Sequence, residues 1–542
     1  MTGNCIADWI SSSPFRRVVE LSGLDRKWWT LIAVCTATFM LLLDITVVNV
    51  ALPDIQRSLH SSFSDLQWVI DAYSLTLAAF LLTAGVVGDM FGRRGVFAVG
   101  LGVFTLSSLL CGFSSSSLML NLARGVQGVG GAIMFATSLA LIASAFAGRE
   151  RGTAFGIYGA VVGAAVAVGP LIGGALTSGL SWRWIFFVNG PVGIVAVAIT
   201  LAKVQESRDT NERRIDWIGF VSFSVALFML VFALVRGNAQ GWGSTLIVGL
   251  LVGSAVLLVV FLAAEWRQAD PMLDLTLFRR PAMVGTSIVA FTLAASIFSL
   301  FLYITLFIQD DLGYGPLAAG VRFLPITMLS FITAPVAGKL SVRIKSRYLL
   351  GTGLLLVAVG LALMSTIHAS SGWMALLPGF VVTGIGIGTV NPVLASSAIS
   401  VVPPQRSGMA SGSNNTFRQV GIATGIAALG VVFQRQILSS TATALGTSKI
   451  GHEVLVRGGA QLSAALTGGG VREAAAAIPS ASVRNELLAA YRTGFSSTLD
   501  HLMIIGSVVA AVGSVCGYAL VRQRDFVPSY APPSGERSSA HS

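Results

Sequence analysis

Residues 31–53 read LIAVCTATFMLLLDITVVNVALP, with Asp44 as the only charged side chain in 23 positions. A helix rises about 1.5 Å per residue, so such a run reaches roughly 34 Å. The hydrocarbon core of a bilayer is about 30 Å thick. This one stretch is therefore long and apolar enough to cross a membrane as a helix. Similar stretches follow at intervals along the whole chain. Of the 542 residues, 54% are hydrophobic and 11% charged, with a mean hydropathy of +0.78. Soluble proteins carry about 25% charged residues.

Backbone groups in lipid must satisfy one another, which leaves helices or a closed barrel. Barrel strands alternate with period two over about ten residues. These runs are continuous, so the reading is an all-α integral membrane protein. The expected spans are 31–53, 66–88, 96–113, 118–147, 152–180, 183–203, 216–236, 244–265, 281–309, 317–340, 348–367, 373–401, 407–433 and 499–521. That is about 14 transmembrane helices.

The net charge of +11 raises the question of nucleic acid. The positions of the charges answer it. With the N-terminus inside, the inner loops hold Arg93 and Arg94, Arg149 and Arg151, Lys203 to Arg214, Arg267 to Arg280, Lys339 to Arg347, Arg406, and Arg522 with Arg524. The short outer loops hold little beyond Arg57, Arg183 and Arg236. Lys and Arg accumulate on the cytoplasmic side, so both termini are expected in the cytoplasm; high Ala, Gly and Val usage suits a bacterial inner membrane. The basic balance is then topology, and no nucleic acid partner is implied.

The first thirty residues show no short apolar core with a cleavage site. The first span is expected to act as an uncleaved anchor. Cys5, Cys35, Cys111 and Cys516 fit neither a metal spacing nor a disulfide framework. No GxxxxGK[ST] loop is present to cradle phosphates. An enzyme, an ATP-driven pump, a metal and a cofactor are all unexpected.

Ionisable groups within the bilayer are costly and mark function by default. Asp44 lies in the first helix, Asp71 near the outer end of the second, and Arg124 in the outer third of the fourth. Their depths allow all three to line one outward part of a cavity. Arg124 is always charged and needs a carboxylate, with Asp44 the first choice. A carboxylate poised between desolvation and a nearby Arg can take up and release a proton. Arg322 and Arg418, in the tenth and thirteenth helices, are candidates for packing or for a pathway in the second half.

Glycine and proline give backbone instructions. GIYGAVVGAAVAVGPLIGG at 156–174 pairs Gly159 with Gly163 and Gly169 with Gly173, beside Pro170 and Gly174. Small residues four apart let membrane helices approach closely. GVVGDMFGRR at 85–94 contains Gly85, Asp89, Gly92, Arg93 and Arg94. Asp89 can pair with Arg93 or sit at a helix N-terminus, where negative charge is favoured.

These motifs resemble the major facilitator superfamily. GVVGDMFGRR resembles the loop between its second and third helices, and LNLARGVQGVGG its fourth-helix arginine motif. The run at 156–174 resembles the fifth-helix motif of its exporters. LLDITVVNVALPDI and SWRWIFFVNGPVGI resemble the fourteen-helix drug–proton antiporter branch. The second half resembles the family more loosely, through LAAGVRFLP and SGSNNTFRQVGIATG; GKLSVRIKSR there lacks the acidic residue of the signature loop.

The resemblance implies a major facilitator fold, with two six-helix bundles plus an extra central helix pair. The segments are then 1–30 (cytoplasmic), 31–203 (first bundle), 204–280 (linker with two helices), 281–521 (second bundle, external loop 434–498) and 522–542 (tail). It also implies proton coupling or substrate contact at Asp44, Asp71 and Arg124, and a conformational latch of Asp89 and Arg93. The tenth helix lacks the acidic residue that some dication exporters of this branch carry.

The expected function is proton-coupled antiport of amphipathic or cationic drugs by alternating access. The partners are a small-molecule substrate, protons and the lipid bilayer, and the unit is a monomer. The alternative is a dedicated exporter of an endogenous metabolite, antibiotic, siderophore or lipid. A non-transporting membrane sensor is remote, because no soluble signalling domain is evident.

Overall fold

The computed structural model describes residues 25–60, 63–207, 216–268, 271–446, 466, 471–476 and 478–527. These residues form helices and connections, with no strand among them. The long helices are α1 (Arg26–Leu59), α2 (Phe63–Phe91), α3 (Arg93–Gly112), α4 (Ser117–Ala145), α5 (Gly148–Gly179), α6 (Trp184–Lys203) and α7 (Trp217–Gln240). There follow α8 (Thr245–Arg267), α9 (Pro281–Gln309), α10 (Pro316–Leu340), α11 (Ser346–Met364), α12 (Leu377–Ser400), α13 (Ser407–Leu445) and α14 (Ala481–Leu520). Thirteen helices among the described residues meet the length and apolarity of a membrane span. The other long helix, α5, packs between α1 and α10 and runs 32 residues, or roughly 48 Å.

Two large apolar clusters organise the molecule. One is built on α1 to α6, around Leu41, Phe97, Phe104, Phe135 and Phe155. The other is built on α9 to α14, around Leu300, Phe307, Leu354, Phe380 and Phe495. The pair α7 and α8 packs outside them, and α7 touches both α2 and α13. Val252, Val256 and Val259 of α8 are exposed. Apolar surface of this kind suits lipid, which is as apolar as the side chains themselves.

Helix ends near the last connection depart from the sequence reading. The loop expected over 434–498 is shorter, because α13 continues to Leu445 and α14 begins at Ala481. Ile437 and Leu445 on one helix, with Leu487, Tyr491 and Phe495 on the other, are buried in a shared cluster. Gly494 meets Thr441 there. Apolar side chains at helical spacing carry both helices past the point where hydropathy alone would end them. A short helix, Val471–Ala476, lies in the remaining connection.

One end of the bundle is tied by polar contacts between different helices. Lys27 at the start of α1 pairs with Glu150 at the start of α5 at 2.8 Å. Glu206, after α6, accepts from the N–H groups of Arg94 and Gly95 at 3.0 and 3.2 Å and so caps α3. Asp525 accepts from Ala282 N at the start of α9. Arg406 pairs with Asp274 at 2.6 Å. First-turn N–H groups have no helical partner, so a carboxylate at that end supplies one.

Close backbone contact between the two clusters occurs toward the same end. A Cβ on Gly85 of α2 would run into the carbonyl of Gly408 on α13, and one on Gly152 of α5 into that of Gly338 on α10. Gly156 meets Pro335 of α10 and Gly159 meets Pro392 of α12, at 2.8 and 3.1 Å from the position a Cβ would take. Only the missing side chains allow these approaches.

Two outcomes are expected. Overpacking costs about 1–3 kcal/mol, a roughly 5- to 150-fold shift in a two-state equilibrium. Gly85→Val should therefore raise maleimide labelling of a cysteine placed at the fully buried Ser411 position by a similar factor. Unchanged labelling would contradict a closed end held by glycine contact.

Asp274 lies outside the spans. Burial pushes its carboxyl up, but hydrogen bonds from Thr276 and Arg406 outweigh burial and hold it below its ordinary value. A carboxyl lowered by folding adds stability above its unfolded pKa of about 4, and that stability is lost as pH falls through the lowered value. The melting advantage of the wild type over Asp274→Asn should shrink as pH drops below about 4. An advantage that persists unchanged to the lowest pH measured would contradict this.

Candidate functional site

Asp44, in the middle of α1, is 3% exposed, and Arg124 of α4 is 1% exposed. The guanidinium Nη1 donates to Asp44 Oδ2 at 2.5 Å and to Gln127 Oε1 at 2.9 Å. Its Nε donates to the Val69 carbonyl of α2 at 3.0 Å. Gln127 Nε2 donates to Asp44 Oδ1 at 3.0 Å, and Asn189 Nδ2 of α6 approaches the same oxygen at 3.4 Å. Asn189 also donates to Ser108 Oγ of α3, which donates to the Phe186 carbonyl. The guanidinium lies 4.1 Å from the centroid of the Tyr73 ring.

One charge pair thus binds five helices, α1, α2, α3, α4 and α6. Local sequence explains the placement. Arg124 and Gln127 are three apart and share a helix face. Gly128 and Gly131, beside them, let α4 reach Tyr73 and Leu77 of α2 and Leu41 of α1. The rings supply the cation with a favourable π-face. The pair is buried, and removing one partner of a buried pair leaves the other uncompensated.

Asp71 does not join this cluster. It pairs with Arg236 of α7 at 3.1 Å, and Arg236 sits 4.8 Å from the centroid of the Trp68 ring. This corrects two expectations: that Asp71 shares a cavity with Asp44 and Arg124, and that Arg236 belongs to an outer loop. Arg236 lies within α7 and is 6% exposed. Burial against α2 forces the pairing, because a charge within the bilayer needs a partner.

Asp89 and Arg93 meet the other half of the molecule. Arg93 Nη2 lies 2.7 Å from Asp89 Oδ1. Asp89 accepts from Gly408 N and Met409 N, both at 2.9 Å, in the first turn of α13. Arg93 Nη2 also donates to the carbonyls of Pro404 and Gln405, at 2.7 and 3.1 Å. The carboxylate thus faces the positive end of a helix and the guanidinium the carbonyls before it. Gly92 adopts φ 107°, a left-handed conformation that a Cβ disfavours. Arg94 instead points toward Glu206 at 3.7 Å.

In α5 the expected glycine pairs face different neighbours. Gly159 and Gly163 meet Pro392 of α12 and Ser330 of α10, while Gly169 and Gly173 meet Thr46 and Val47 of α1. Nothing stands within 4 Å of a Cβ on Gly174. The Pro170 side chain lies outside the described residues. Arg322 of α10 stacks on Tyr314 at 3.4 Å and bonds the Ala318 carbonyl. Arg418 of α13 lies 4.7 Å from the Phe298 ring centroid.

A small cavity of about 20 Å³ lies among Phe298, Phe301, Ser330 and Asn391. A larger groove, about 580 Å³, lies between α2, α4 and α7, away from the Asp44 side chain. Sequence reasoning missed Gln127, Asn189, Ser108 and Glu206; the last three depend on long-range contact. Gln127 carried a signal: it stands one turn from Arg124 in an apolar helix.

Long apolar helices stacked side by side, with buried arginine–carboxylate pairs between them, define a multi-pass membrane protein. Residues 34–426 match the Major Facilitator Superfamily, and the chain belongs to that family. It is 38% identical to the multidrug resistance protein Stp of Mycobacterium tuberculosis, over 74% of this chain and 75% of Stp. It is 38% identical to the puromycin resistance protein pur8 of Streptomyces alboniger (78% and 85%). It is 35% identical to the tetracenomycin C resistance and export protein of Streptomyces glaucescens (77% and 78%). The solved structure of the human organic anion transporter MFSD10 (TETRAN) aligns with a TM-score of 0.59 over 90% of this chain and all of that one, at 13% identity. That likeness concerns the fold.

A double-mutant cycle tests the central pair. Arg124→Gln alone should cost about 3–5 kcal/mol, the usual penalty for a buried charge left unpaired. Asp44→Asn combined with Arg124→Gln should cost less than the two single losses added together. Additive losses in detergent melting would show that the two side chains do not act as a pair.

Proposed function

We propose that this protein is a proton-coupled secondary exporter of amphipathic drugs and toxic compounds. The observation that carries the reading is the buried pair of Asp44 and Arg124 in a chain whose relatives are named for antibiotic resistance and export. Protonation of Asp44 would remove the counter-charge of Arg124 and loosen a contact shared by five helices. Loss of the proton would restore it. A proton's arrival is in this way linked to helix packing, which is the requirement for coupling transport to a proton gradient.

The remaining residues take supporting roles. The Asp89–Arg93 pair, docked on the start of α13, would latch the basic end of the bundle shut. The glycines of α5 would give a smooth surface for α10 and α12 to rock upon. Asp71, held by Arg236, would tie the additional pair α7 and α8 to the first six helices, and the last six would form the second moving body. The basic end would face the cytoplasm, as would both termini, and one chain would suffice for transport.

A second reading has a specific observation behind it. Among the relatives are the tetracenomycin C export protein and the probable actinorhodin transporter of Streptomyces coelicolor. Their names favour dedicated export of a compound that the cell itself makes.

The test uses efflux-deficient bacteria expressing wild type or Asp44→Asn. Puromycin and tetracenomycin C accumulation is measured with and without a protonophore. The expected result is low accumulation in wild type alone, rising several-fold with the protonophore or the substitution. Low accumulation that ignores the protonophore would end the proton-coupled reading. No protection against either compound, with the protein present in the membrane, would favour the dedicated exporter.

A further inference from the structure

Arg418 lies on α13, close to the middle of the bilayer by its place in the helix. It is half-buried, between Phe298 of α9 and Tyr158 of α5. The titratable group that faces it is the Tyr158 phenol. No carboxylate among the described residues pairs with it. The contrast with the other membrane arginines is direct. Arg124 has Asp44, Arg236 has Asp71 and Arg93 has Asp89. Arg322 sits at a helix end on two aromatic rings.

Guanidinium keeps its charge under all ordinary conditions. A charge in low dielectric without a counter-charge is costly, so a compensating group must reach Arg418 at some stage. A second observation points the same way. Asn391 on α12, and Asn414 and Asn415 one turn before Arg418, are each at least 92% buried, and their amide nitrogens have no acceptor. Asn391 lines the small central cavity together with Phe298, whose ring faces the guanidinium. This part of the wall therefore presents hydrogen-bond donors and aromatic faces.

Asp44, Asp71 and Asp89 offer no matching attraction for a cation. Asp44 and Asp71 already hold arginines, and Asp89 is engaged at the end of α13. Phe298 closes a π-helical turn of α9, Ala294–Phe298, which packs against Gly425 of α13 through Ala295. Such turns reposition side chains within otherwise regular helices.

We infer that Arg418, with Asn391 and the Phe298 ring, forms a subsite for an anionic or acceptor-rich group on an aromatic substrate. The inference rests on the exporter reading and narrows its substrate class. A carboxylate or phenolate would meet the guanidinium while its ring lies against Phe298 and Phe301. Cationic compounds would be disfavoured at this point of the pathway.

The test compares 1-pyrenebutyrate with 1-pyrenebutylamine, which share ring and chain and differ in charge. Binding to the purified full-length protein is followed by fluorescence in detergent, against protein-free micelles. Wild type should bind the acid more tightly than the amine. Arg418→Gln should weaken the acid about tenfold or more, a change of about 1.4 kcal/mol, and leave the amine unchanged or tighter. Arg418→Lys should keep most of the preference. Asn391→Asp, which adds a negative charge and leaves Arg418 intact, should lower acid binding as well.

An unchanged acid-to-amine ratio in Arg418→Gln would overturn the inference, since water alone would then satisfy the donors. A wild type that prefers the amine would overturn it too. Should Arg418→Gln fail to fold, Arg418→Lys and Asn391→Asp decide the matter by the same ratio. Binding in detergent needs no gradient. Charge-selective binding without export from vesicles would count against the exporter reading alone, and export of the amine without charge selectivity would count against this inference alone.

Discussion

A bare charge in hydrocarbon costs at least a few kcal/mol, and the helices of this protein are arranged around that cost. Asp44 and Arg124 are far apart in sequence and neither is tolerable alone at its depth. Bringing them within 2.5 Å draws α1 and α4 together, and the remaining polar atoms of the pair draw in α2, α3 and α6. The pair is favourable because Gln127, Asn189 and the Val69 carbonyl hydrogen-bond its remaining polar atoms. On the proposed reading its strength is conditional, because a proton on the carboxylate would cancel the charge attraction that holds the contact.

The same principle operates at the basic end with a different partner. Asp89 is met by Arg93 and also by two N–H groups at the start of α13. These groups belong to the other half of the molecule, so the contact exists only while the halves are together at that end. Glycines at 85, 152, 156 and 159 allow the approach that lets it form. Packing and electrostatics therefore depend on one another here. A side chain in the glycine contact would pull the carboxylate from the helix end.

Arg418 shows the principle by exception. Three of the membrane arginines have a carboxylate, and Arg418 has an aromatic ring and a phenol. On the proposed reading, the counter-charge that Arg418 lacks among the described residues arrives with the cargo.

Much of this architecture was legible in the chain itself. Apolar runs longer than a bilayer is thick specified a helical membrane protein, because water and lipid act on composition directly. Asp44 as partner of Arg124 could be read from the need of a buried guanidinium for a carboxylate, whereas Gln127 was missed although its spacing from Arg124 carried a signal. The tertiary structure alone decided that Asp71 turns to Arg236 on α7, that Glu206 caps α3, that Asp89 caps α13, and that α13 and α14 extend as a stacked pair. Each depends on which helices become neighbours. Hydropathy sets where a helix lies relative to the membrane, but every membrane helix shares that preference, so the choice of neighbour is left to close packing and to the pairing of a few charges across long separations in sequence.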